Sequence, residues 1–102
     1  MKAKMQEAAF MMIANVGTAK SMYIEGLQLV KKGEFEEAEK LIKEGEEIFS
    51  EAHKLHFEFV QKESQGEDLP FSLLLMHAED QMMNTETVKI LVDELIEIHK
   101  NK

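Results

Sequence analysis

His77 is the residue of this chain best placed for covalent chemistry. It stands in Leu73-Leu74-Leu75-Met76-His77-Ala78-Glu79-Asp80-Gln81, directly after an apolar run. Imidazole is nucleophilic near neutral pH and can carry a transferable group. On a helix, Asp80 at i+3 and Gln81 at i+4 lie on nearly the same face as His77. Spacing alone does not separate such a nucleophile from a structural or surface histidine. One histidine and one aspartate at i, i+3 are also short of a metal site, which needs further ligands. Taken singly, Asp80 reads as a solvated carboxylate. It gains interest only if several copies converge, because converging carboxylates must be protonated or share a cation. His53 and His56, within Glu51-Ala52-His53-Lys54-Leu55-His56, are three apart and could be ligands, but structural or surface roles are the better reading of the spacing. His99 suits the negative end of a helix dipole and carries no further reading. The eight methionines read mostly as core filler. No glycine-rich phosphate loop and no Ser/His/Asp pattern stands out.

The elements that must position these groups are helical. Among 102 residues there are one proline, five glycines and few β-branched side chains, which favours long helices in a single domain over 1–102. Hydrophobic residues make up 44% and charged residues 31%, as in a soluble globular protein. Two breaks divide the chain. Lys31-Lys32-Gly33 combines last-turn lysines with a glycine able to take the left-handed conformation, and Glu34, Glu36 and Glu37 follow as a new helix start. Ser64 to Pro70 is the second break, with Pro70 expected at the first position of the next helix.

Between the breaks the apolar spacing is helical. The first segment carries Met5, Ala9, Met12, Val16, Ala19, Tyr23, Leu27 and Val30. The second carries Phe35, Ala38, Leu41, Ile42, Ile48, Phe49, Ala52, Leu55 and Phe59. Pairs of opposite charge at Glu36/Lys40, Glu39/Lys43 and Glu58/Lys62 are expected on its other side. The third runs from Pro70 to about Lys100, with Leu74, Ala78, Val88, Val92, Leu95 and His99 on one stripe. Three helices of about 30 residues joined by short turns give an all-α, up-down-up three-helix bundle. The third helix is also apolar off its stripe, at Leu73, Leu75, Met76, Met83, Ile90, Leu91, Ile96 and Ile98. A helix apolar on several sides is buried on several sides. Three helices cannot cover it, so oligomerisation around this helix is expected.

The formal charge is −8, from 20 acidic residues against 12 lysines and no arginine. That balance argues against nucleic acid and against anionic lipid as partners, and suits a basic protein partner. Cysteine is absent, so disulfide and thiolate chemistry are excluded. The apolar stretch Ala8 to Ala14 is too short to span a bilayer, which takes ~20 residues. The expected location is the cytoplasm, without membrane insertion.

These residues together resemble a family. Asn15-Val16-Gly17-Thr18-Ala19-Lys20-Ser21, Lys32-Gly33-Glu34-Phe35-Glu36-Glu37-Ala38 and Glu51-Ala52-His53 are similar to stretches of the lactose/cellobiose-type enzyme IIA proteins of bacterial sugar phosphotransferase systems. Leu75-Met76-His77-Ala78-Glu79-Asp80-Gln81-Met82-Met83 resembles the family's His-Ala-Gln-Asp-His-Leu-Met segment. The resemblance implies a nine-helix homotrimer. It implies that His77 accepts a phosphoryl group from phospho-HPr and passes it to a IIB component, with a IIC component completing the permease for a β-linked disaccharide such as cellobiose or lactose. It also implies that Asp80 meets its symmetry mates on the threefold axis, where one structural Mg²⁺ per trimer would need waters or side chains such as Asn84 to complete its shell. Two positions depart from the family pattern. Glu79 replaces a glutamine and Gln81 replaces a histidine, and both are candidate neighbours of His77. A carboxylate near a phosphohistidine adds repulsion and removes an amide donor. Partner groups compensate, or Glu79 points away, or transfer is altered. The alternative function is a non-catalytic helical oligomerisation or regulatory module that kept the trimer and lost phosphotransfer.

Overall fold

A computed structural model describes residues 2–102, and among them all regular structure is α-helical. Helix α1 spans Lys2–Lys31, α2 spans Phe35–Ser64 and α3 spans Leu73–Lys100. The bundle they form is 52 Å long and 19 by 18 Å across. Up-down-up order follows from the short connections.

Both of the first two helices end by the same device. Gly33 has φ +83°, and the Glu34 and Gly33 amides donate back to the Leu29 and Val30 carbonyls. Gly66 has φ +94°, and the Glu67 and Gly66 amides donate to Lys62 and Glu63. This is the Schellman pattern, which needs a left-handed residue and so favours glycine there.

The start of α3 differs from expectation. Pro70 does not open it. The chain stays extended to Ser72, whose Oγ accepts the Leu75 amide at 3.1 Å and caps the helix. A serine acceptor satisfies an orphan N–H, which proline at the first position cannot do.

Helix α1 is the spine. It packs along both partners, whereas α2 and α3 meet each other at only a few points. Seven of the eight α1 positions expected to face the core are buried, and Leu27 is half-buried. Two mid-helix glycines bring α1 and α2 close. A Cβ on Gly45 would lie 2.9 Å from the Tyr23 ring, and one on Gly26 would lie 2.6 Å from Ile42. Side chains of Met5, Met12, Phe59, Leu75 and Met82 fill the upper half of the core, and Tyr23, Ile42 and Val92 the lower.

On α3 the buried line is Leu75, Ala78, Met82, Thr85 and Val92. Leu95, expected inside, is exposed, while Leu75, expected off the stripe, is buried. A helix apolar on several sides has no unique stripe, so periodicity could not choose between them. Thr85 is fully buried and its hydroxyl finds no partner among the described residues. The expected Glu/Lys pairs on α2 are not the ion pairs formed. Among the described residues the lysine ion pairs are Lys54–Glu51, Lys89–Asp93 and Lys89–Glu46. Lys89 also sits 5.5 Å from the centre of the Tyr23 ring. The Tyr23 phenol is pushed up to about 12, by burial first and then by the Glu46 and Asp93 carboxylates.

Candidate functional site

His77 lies in the second turn of α3 with its side chain exposed. The turn owes its position to the Ser72 cap, and to Leu75 and Ala78, which face the core on either side of His77. Among the described residues no side chain forms a hydrogen bond or ion pair with His77 or with Asp80. Both are open to an incoming group.

Around them α3 presents an uncovered apolar face. Leu73 is 72% exposed and Ile90 63%, and Met76, Met83, Leu91, Leu95 and Ile98 are exposed too. With 3.6 residues per turn, Asp80 falls near the middle of this face and His77 on its edge. The edge beside His77 borders α1. Gln81, one turn on from His77, is half-buried there. Asn84, a further turn along, accepts a hydrogen bond from Lys20 Nζ at 3.2 Å, so its oxygen is already engaged across the α1–α3 seam.

Glu79 is not beside His77. It projects from the far side of α3, where His56 Nε2–H donates to its Oε2 at 2.6 Å. Of the three expectations for this residue, the geometry of a single chain is the one in which it points away. The pairing with His56 was missed because i, i+3 arithmetic within α2 says nothing of α3. His53 is exposed, and His99 is half-buried in the last turn of α3. The two α2 histidines do not share a target. Among the described residues no three His, Asp or Glu side chains gather where a metal could sit. One chain offers Asp80 alone. No described helix is long and apolar enough to cross a membrane.

Comparison with known proteins gives one answer. The family model of the PTS system lactose/cellobiose-specific IIA subunit matches residues 7–100. The oligo-β-mannoside-specific EIIA component of Bacillus subtilis is 44% identical over 97 residues, covering 95% of this chain and 88% of the relative. Among solved structures, the cellobiose-specific enzyme IIA from Bacillus anthracis superposes with a TM-score of 0.87 at 39% identity, covering 93% of this chain and 87% of that one. The IIA(chitobiose)–HPr complex of Escherichia coli contains a chain matching with a TM-score of 0.79 at 28% identity, over 95% and 94% of the two chains. A free histidine on a capped helix, within a bundle that aligns nearly end to end with these proteins, places the chain in a phosphotransferase family: it belongs to the lactose/cellobiose-specific IIA components of the sugar phosphotransferase system.

Proposed function

We propose that this chain is a phosphohistidine carrier in which His77 takes a phosphoryl group from phospho-HPr and passes it to a IIB component. The observation that carries the proposal is His77 itself: exposed, unpartnered, and held at the edge of an uncovered face by a capped helix. A ring nitrogen of neutral His77 offers its lone pair to phosphorus. The N–P bond to the donor's histidine breaks, its electron pair returns to the donor ring, and His77 releases the proton on its other ring nitrogen as the donor ring takes one up. The reverse sequence hands the group to the acceptor. Little covalent machinery is needed, because such transfers depend on positioning and charge stabilisation. The HPr complex of the chitobiose relative supports the choice of donor. The mannoside, cellobiose and chitobiose names of the relatives support a β-linked disaccharide as the sugar, with separate or fused IIB and IIC components selecting it. A protein of this kind works in the cytoplasm.

We further propose that the α3 face closes against two other copies to form a trimer, which brings three Asp80 carboxylates together. Asp80 is exposed, unpaired and central in an otherwise apolar face, so the donor set fits a hard cation such as Mg²⁺ shared between copies. Bound there, the ion offsets carboxylate repulsion and takes no part in the transfer.

Incubation with enzyme I, HPr and phosphoenolpyruvate, followed by intact mass, tests the carrier reading. One phosphoryl group per chain is expected. His77→Ala should abolish the label, while His53→Ala and His99→Ala should keep it. A wild-type chain that stays unlabelled would favour the non-catalytic module.

A further inference from the structure

Direct ties between α2 and α3 are scarce. The helices meet at few points, and the close polar bond across the gap is His56 to Glu79 at 2.6 Å. The other cross-link, Lys89 to Glu46, is looser at 3.8 Å. The His56–Glu79 pair sits at the level of His77, two residues along α3 and on the opposite side of the helix. Its side chains are only 19% and 36% exposed. They line a cleft of about 380 Å³ whose walls are otherwise mainly apolar, from Phe59, Leu69, Phe71 and Leu75. Glu63 lines the same cleft and adds negative charge, while no lysine lines it. Lys62 turns instead over the Phe59 ring, 5.6 Å from its centre. Within this cleft it is His56 that donates to the Glu79 carboxylate. A partly desolvated carboxylate needs such a partner, and His56 supplies one at 2.6 Å.

We infer that His56 is a positioning residue for the phosphoryl transfer, acting through Glu79: its hydrogen bond holds that carboxylate on the α2 side, turned away from His77. The inference rests on the carrier reading of His77. A phosphoryl group brings nearly two negative charges. Without His56, the carboxylate would be free to leave the α2 side, where it stands one helix diameter, ~10 Å, from that group. At this separation the repulsion is modest, and salt screens it, since the Debye length is about 10 Å at 0.1 M. The Glu79 carboxylate is thus accommodated by a histidine on another helix.

Single-turnover phosphorylation of the whole chain by phospho-HPr tests the inference. His56→Ala should slow phosphoryl entry about three- to tenfold at low salt, with the deficit shrinking at high salt. The double variant His56→Ala/Glu79→Gln should restore the rate, because the carboxylate that repels the phosphoryl group is gone. A purely structural role would give no salt dependence. His56→Gln, which keeps a donor on a different side chain, should fall between wild type and His56→Ala and serves if the alanine variant loses helix content. Wild-type rates in folded His56→Ala or His56→Gln, or a slow double variant, overturn the inference alone. Absence of label on the wild-type chain overturns the carrier reading and this inference with it.

Discussion

Tyr23 is the single tyrosine of a chain without tryptophan, so its ionisation can be followed without interference. Its phenol is buried against Gly45 and pushed up to about 12 by desolvation, with the Glu46 and Asp93 carboxylates adding to the effect. The unfolded value is near 10. The folded state therefore holds the proton more tightly than the unfolded state. The stability this contributes is complete below pH 10 and is lost as pH rises through about 12. Tyrosinate absorbance of the native protein should titrate near 12, and the melting temperature should fall across the same window. A midpoint near 10 in folded protein would contradict the packing of Tyr23. At the same scale, His77 and Asp80 could be singled out as candidates from the sequence because each is defined by its own type and by neighbours along one helix. The partner of Glu79 was not, because that contact spans 23 residues and two helices.

At the scale of the helix, glycine separates two kinds of position. Gly17 on α1 faces open space, and a Cβ there would touch nothing within 4 Å. Gly45 on α2 faces the Tyr23 ring at 2.9 Å. Alanine improves helix propensity at both by about 1 kcal/mol. At Gly45 it also forces a rigid ring aside in a close-packed core, a cost of about 1–3 kcal/mol. Gly17→Ala should leave the melting temperature unchanged or raised, and Gly45→Ala should lower it, as thermal unfolding followed by circular dichroism would show. The three helices were readable because the stripe on α2 is opposed by a strongly polar face, the buried residues of α1 recur at helical steps, and the ends of both are marked by Gly33 and Gly66. The start of α3 was misplaced because Pro70 and Ser72 are both good opening residues, and only the hydrogen bond to Leu75 decides between them. The buried line of α3 was ambiguous for a related reason. Its apolar residues nearly encircle it, and burial by α1 selects one side.

For the whole molecule, the apolar face of α3 sets the expectation. Leu73, Met76, Met83, Ile90, Leu91 and Ile98 are each more than half exposed, on one long face of a single helix. Contiguous apolar surface of this kind is rare on a monomer. Light scattering should give three times the chain mass of 11.7 kDa. Asp80, central in that face, should then be the weak point of the assembly. Asp80→Leu exchanges mutually repelling charges for apolar contacts, and should raise trimer stability by about 1–4 kcal/mol. Chelator should lower the melting temperature of wild type and leave that of Asp80→Leu unchanged. A monomer in solution, or a weaker trimer in Asp80→Leu, would remove the axial arrangement.

The central place of α1 also governs the order in which the chain can fold. Its pairing with α2 closes over three residues, Lys32 to Glu34, so little loop entropy opposes it. Docking of α3 onto α1 must instead close a loop that contains all of α2. The hairpin of α1 and α2 can form early and locally, while the helix that bears His77 arrives last and is held mainly from one side.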